Sequence, residues 1–435
     1  MIVALAAMRI GAPLVAQDAA PVFTKDVAPI LNANCTGCHH PGGLGPFTLL
    51  DYDSAKARVG EMKDAVESGF MPPWHAEGPR GVFKNDRRLS DAAKQTILRW
   101  IEAGALKGDE RALPPLPTYP TSWTMGTPDA IVAMTTEFTV PASGTVEYQY
   151  FEIPTNFTED KWVQAIEVKP GAREVVHHVI VYGRVPTPEN AAPAAAPAPG
   201  TPAARPLFVR KPQYAPPEPP ARLDTLHPPP RRLGNLIGGT VPGGNLTEFE
   251  PGTALRIRAG TVLTFQVHYT AKGHAMHDRT SVGFKFASAP PEEEIRMISF
   301  ANGSFVLPAG SKDVAVPAEL EPTEPIRIWA LLPHTHLRGT GWKYTMEKAD
   351  GTSEVILDVP RYDFNWQTNY FFAKPLEVPA GARIKSVAWY DNSASNKSNP
   401  DPTIDVRWGD QTWEEMQFTG VFYSVPSRRL KPPAR

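Results

Sequence analysis

The two cysteines of this 435-residue chain fall within one short run, Cys35-Thr36-Gly37-Cys38-His39. Two thiols at that spacing can form thioethers to the vinyl groups of a haem, and the histidine that follows can ligate its iron. The rival readings are a redox dithiol and half of a zinc site. A zinc site wants further Cys or His at matching spacing, and the chain has no second C-x-x-C. A thioredoxin-like dithiol wants a βαβ setting, which the flanking sequence does not offer. Covalent haem c held by Cys35, Cys38 and His39 is the expectation.

The elements that must position this motif read as helices. Residues 23–31 form a short amphipathic stretch leading into it. Further on, Ser90 is placed to cap a helix whose apolar stripe is Ile97, Leu98 and Ile101, before Gly104 stops it. Two terminal helices flanking a haem loop resemble a class I cytochrome c. A sixth iron ligand is expected on residues 69–75, where Pro72 and Pro73 fix the loop. Met71 is the choice, because a thioether favours reduced iron and raises its potential. His75 and His40 are the alternatives, and Met62 falls on an expected helix.

Eight of the eleven histidines lie beyond residue 176. His177 and His178 are adjacent in a strand-like run, His268 sits in another, and His334 and His336 are spaced i, i+2. On a strand the last spacing points both imidazoles to one face, whereas adjacent residues point to opposite faces. His177 and His178 therefore need a bulge or twist to converge on one metal. Imidazole suits copper, zinc, iron and nickel. His227, His274 and His277 read as surface residues.

Composition limits the remaining choices. The formal net charge is −2 with no long basic run, which argues against nucleic acid. No apolar stretch of spanning length follows the first residues, so the mature chain is expected to have no membrane span. Residues 1–20 read as an export segment lacking the usual basic start. Haem attachment of this type also matures outside the cytoplasm, so a periplasmic or secreted location is expected. The 48 prolines and the alternating runs from Trp123 onward point to β-structure with irregular connections. The expected organisation is a small all-α haem domain at 21–110, a stiff Pro-rich linker at 111–124, and two all-β, jelly-roll-like sandwiches at 125–291 and 292–435. A low-complexity Pro/Ala insertion at 186–220 is expected as an exposed excursion from the first sandwich.

Residues from about 125 to 435 resemble the copper type II, ascorbate-dependent monooxygenases, the family of peptidylglycine α-hydroxylating and dopamine β-monooxygenases. The resemblance rests on the order of His177-His178, His268-Tyr269, His334-Thr335-His336-Leu337-Arg338-Gly339 and Glu414-Glu415-Met416, with residues 362–367 and 389–393 between them. It implies two copper ions facing each other across an open cleft. His177, His178 and His268 would hold an electron-storing copper. His334, His336 and Met416 would hold the copper that meets dioxygen, with Gln266 close to the electron path. Where peptide-specific members carry Arg, Asn and Tyr to grip substrate, this chain has Leu332, Phe418 and Gly420. A less polar substrate, or none, is implied. The disulfides of the animal enzymes are not expected, since both cysteines are committed to haem.

The function so implied is an exported copper-dependent monooxygenase that hydroxylates a C–H bond of an organic substrate with O2. Its electrons would come through the fused haem from an ascorbate-like reductant or a periplasmic redox protein. The rival is a non-catalytic redox or copper-handling protein that exchanges electrons between haem and copper.

Overall fold

In a computed structural model, residues 19–119, 122–186, 206–209, 211–214, 233–241, 244–428 and 430 are described. The expected export segment lies almost wholly outside them, as does His227. The chain divides into two units. One comprises residues 1–72 and 88–118, the other 73–87 and 119–435.

The first unit carries helices and, among the described residues, no strand. A π-helical turn at Phe23–Val27 runs directly into the helix Ala28–Asn34, whose Pro29 sits where a missing N–H costs nothing. The helix Val59–Ser68 ends on Gly69 at φ 73°, a left-handed stop suited to glycine. The helix Asp91–Glu102 begins as the sequence implies, with Ser90 accepting from the Ala93 N–H. These elements bury Phe23, Val27, Leu31, Met62, Ile97 and Trp100 in one core. Met62 is thus a core residue, and the Trp100 indole is satisfied by the carbonyl of Leu106.

The second unit is built from β-sheets. One four-stranded sheet contains Gln149–Pro154, Val262–Tyr269, Val176–Arg184 and Asn235–Thr240 in that order. A second contains Val314–Leu320, Arg383–Tyr390, Gly339–Glu347 and Ser353–Val359. Each shares an apolar core with part of a single nine-stranded sheet. That long sheet is made continuous by Glu293–Ala301, which pairs in parallel with Thr253–Ile257 and antiparallel with Phe418–Ser424. The two β layers systems therefore share backbone hydrogen bonds and are not separated by a linker.

Two placements differ from the sequence expectation. Residues 73–87 leave the helical segment and pack with the β unit, because Trp74, Ala76 and Phe83 find apolar partners there. Residues 206–209, expected to be exposed with the rest of the insertion, dock on the C-terminal core. Leu207 and Phe208 supply apolar surface, and the Val209 N–H donates to the carbonyl of Glu321. Among the described residues no helix is long and apolar enough to cross a membrane.

Candidate metal centre

Two strands of the first four-stranded sheet carry the first three histidines. In Val262–Tyr269, the residues Leu263, Phe265, Val267 and Tyr269 enter the core, so period two sends Gln266 and His268 to the other face. In Val176–Arg184, both Val176 and Val179 enter the core, a spacing of three that a regular strand cannot provide. A bulge resolves this: pairing shifts between Val176 and His178, so that His178 stands opposite His268. The extra residue lets His177 and His178 leave the core on the same side.

The result is a tight group. One ring nitrogen from each of His177, His178 and His268 lies within 4.8 Å of the others. Nδ1 of His177 and Nδ1 of His178 approach to 3.1 Å. The ring of Phe364 stacks on His177 at 5.1 Å, and Tyr148 stands edge-on to His178 and His268. A buried Asp278 carboxylate steadies this end of the strands by accepting from the Tyr269 hydroxyl and from the Gly171 and Ala172 N–H groups.

His334 closes the strand Ile326–His334, and His336 lies just beyond it, buried in the turn. Their rings are 5.2 Å apart. Strand register puts Leu332 opposite Gly420 and His334 opposite Phe418. Each imidazole is oriented through Nδ1. That of His334 meets Gln367 Oε1 at 2.9 Å, and that of His336 meets the Glu414 carbonyl at 3.1 Å. Because both partners are acceptors, Nδ1 carries the proton and Nε2 keeps its lone pair. The buried Glu415 carboxylate accepts from the N–H groups of His336, Arg338 and Met416 at 2.8, 2.6 and 3.2 Å. Burial pushes its pKa up to about 7 despite these donors. Met416 is half-buried, and its carbonyl accepts from Tyr390.

The two groups meet. The His178 and His334 rings are 6.3 Å apart, so the five imidazoles form one cluster, in which His178 and His336 are buried and His177, His268 and His334 keep partial exposure. Desolvation lowers the pKa of all five. His177 and His334 fall to about 4 and His268 to about 3, while His178 and His336 lie well below the ordinary value. Neutral imidazoles with buried lone pairs need partners, yet His178 Nε2, His268 Nδ1 and His336 Nε2 have none. A nitrogen donor set of this kind fits a transition metal such as copper.

Gln266 is brought to the same face as His268, but its amide donates to the Tyr150 hydroxyl at 2.9 Å. His274 and His277 are exposed. Sequence reasoning assigned no role to Phe364, Gln367 or Glu415, although all three fall in stretches it singled out. Tyr148 and Thr412, whose hydroxyl lies 3.3 Å from His268 Nε2, gave no signal. A groove of about 340 Å³ is lined by residues that include Lys84, Asn85, Arg87, Thr247, Glu248 and Asn369.

In the helical unit, a turn closes the C-x-x-C-H run, with the Cys38 and His39 N–H groups donating to the Cys35 carbonyl. The two thiols are free of each other, and burial raises that of Cys35 to about 12. His39 Nδ1 lies 3.1 Å from the Phe47 carbonyl, which fixes the proton there and leaves Nε2 as the donor. Gly45 makes room for this ring, since a Cβ there would stand 2.5 Å from His39 Nδ1. These features fit a proximal haem ligand. Met71 follows the Gly69 stop, with its N–H donating to the Ala65 carbonyl, while His75 lies across the division in the β unit.

No protein-family model matches the chain, and no curated protein matches it. Solved structures with some likeness include the major capsid protein P2 of bacteriophage PM2, at 8% identity and a TM-score of 0.27, over 70% of this chain and 99% of that one. Another is the Gt strain of infectious bursal disease virus, at 9% identity and 0.16, over 71% and 75%. The coconut allergen cocosin stands at 8% and 0.13, over 69% and 87%. Scores this low carry no argument about fold or function.

Proposed function

We propose that the chain is an exported copper-dependent monooxygenase in which a c-type haem on the helical unit supplies electrons to a copper centre in two β-sandwiches, as the resemblance to the ascorbate-dependent family implies. One observation carries the reading: buried, neutral histidines converge with ring nitrogens that have no protein partner. His177, His178 and His268 would hold one copper, and His334, His336 and Met416 the other. Copper bound there would supply dioxygen binding and one-electron exchange, and haem on Cys35, Cys38, His39 and Met71 would supply an electron store. The overall reaction balances as R–H + O2 + two electrons + two protons giving R–OH + H2O.

The chain's own groups prepare this site. Gln367 and the Glu414 carbonyl hold protons on Nδ1 of His334 and His336, keeping both Nε2 lone pairs available. Glu415 ties the turn bearing His336 to the segment bearing Met416 through three N–H groups. Beside His334, the residues Leu332, Phe418 and Gly420 form an apolar wall. A Cβ on Gly420 would crowd Met297 and Leu332 at 3.2 and 3.3 Å. Such a wall suits an apolar C–H substrate and offers a carboxylate nothing to bind. The test is oxygen uptake by reduced protein: copper-loaded protein should reoxidise faster than the apo form, with the gain lost in Met416→Ala. Equal rates in copper-loaded and apo protein would sink the proposal.

A second reading draws on the two imidazoles of the cluster that solvent does not reach. Full burial of His178 and His336 favours a protein that exchanges electrons between haem and copper without a substrate. It predicts reversible haem–copper electron exchange with no hydroxylated product from any C–H substrate. A periplasmic or secreted location belongs to both readings.

A further inference from the structure

The segment from Gly409 to Met416 lies within the β unit and leads into the strand Phe418–Ser424. That strand pairs with Ile326–His334, so the segment belongs to the side of the site that carries His334 and His336. Its own hydrogen bonds fold it tightly. The Gly409 N–H donates to the Glu415 carbonyl at 3.0 Å, and the Glu414 N–H donates to the Gln411 carbonyl at 2.9 Å. The Gln411 N–H donates to Glu414 Oε2 at 2.8 Å. A Cβ on Gly409 would stand 2.0 Å from Glu414 Cδ and would drive that carboxylate off the Gln411 N–H. From outside the segment, the buried Arg338 guanidinium donates to the Trp413 carbonyl at 2.9 Å.

This one piece touches both groups of histidines. The Glu414 carbonyl fixes the His336 ring through Nδ1 at 3.1 Å. Two residues earlier, the Thr412 hydroxyl lies 3.3 Å from His268 Nε2, and the Gln411 side chain accepts from the Tyr148 N–H at 3.4 Å. His268 Nδ1 is buried without a hydrogen-bond partner, so it is the nitrogen left to meet an ion. A histidine that gives Nδ1 to a metal carries its proton on Nε2, and that proton needs an acceptor. The Thr412 oxygen supplies it.

We propose that Thr412 is a positioning residue for His268, and that through it the segment 409–416 couples copper uptake at the two groups. The inference rests on the copper reading above. With the segment fixed by ligation at His336 and Met416, Thr412 holds His268 ready for the other ion. Such coupling is reciprocal, so each ion raises the affinity for the other by the same factor. No bond is made or broken at Thr412.

The test uses full-length protein stripped of copper. Copper(I) is added without oxygen, in competition with a copper(I) chelator, and the protein-bound metal is counted by elemental analysis. Wild-type protein should take up two ions cooperatively. Thr412→Val and Thr412→Ala lack the oxygen; both should take up two ions independently, the weaker one bound about tenfold less tightly than in wild type. Thr412→Ser keeps the hydroxyl and should restore cooperative uptake. Urea midpoints of the copper-free variants should match that of wild type, which separates positioning from folding. Independent uptake by wild type, cooperative uptake by Thr412→Val and Thr412→Ala, or an equal loss in Thr412→Ser would overturn the role of Thr412 and leave the copper reading standing. Wild-type protein that binds no copper would overturn both.

Discussion

At the scale of single residues, the cluster is defined by what burial does to imidazole. A histidine whose pKa falls on folding takes up its proton more readily in the unfolded chain. Its contribution to stability is therefore whole above the unfolded value near 6.5, and is lost as pH drops from there towards the folded value. For His177, His268 and His334 the window runs from about 6.5 to between about 3 and 4. Metal-free protein should accordingly lose stability between pH 7 and pH 5, at up to about 1.4 kcal/mol per pH unit for each histidine. Urea unfolding across that range checks this, and a flat profile would contradict the burial. Gln367→Leu keeps the bulk but removes the acceptor that orients His334. Copper affinity should fall about 10- to 100-fold, read by competition with a chelator. Glu415→Ala strips two buried N–H groups and one half-buried one of their acceptor and should cost roughly 2–4 kcal/mol, measured by denaturant titration.

At the scale of elements, the bulge at Val176–His178 brings together two residues that a regular strand would part. Adjacent histidines made the need for such an irregularity legible in the sequence. The Ser90 cap and the i, i+2 pair at His334 and His336 were legible for the same reason, since local spacing expresses them. The placement of residues 73–87 was not. Trp74 and Phe83 pack on Tyr370 and Phe372, nearly three hundred residues away, and no local pattern records a partner that distant. The meeting of His178 with His334 was hidden for a like reason, because it depends on how two layers share one sheet. Phe83→Ala should destabilise the β unit by about 3–5 kcal/mol, as a buried ring lost from a core does. Calorimetry reads the shift, and a change no larger than that of a surface substitution would mean the segment is only laid against the unit.

At the scale of the whole molecule, the strand Glu293–Ala301 ties both sandwiches into one hydrogen-bonded sheet. The β unit should therefore unfold in a single calorimetric transition, and residues 125–291 expressed alone should fail to fold. Two separable transitions would contradict this. The division at residues 72/73 and 87/88 has a consequence for how the protein is made. A ribosome delivers Trp74 and Phe83 long before it delivers Tyr370 and Phe372. The stretch that interrupts the helical unit must then wait, unpartnered, until the last part of the chain emerges. Closing so long a loop is slow and leaves apolar surface uncovered meanwhile. Completion of the β unit is thus timed by its C-terminal end, and a chain cut short of Tyr370 would leave Trp74 and Phe83 without these partners.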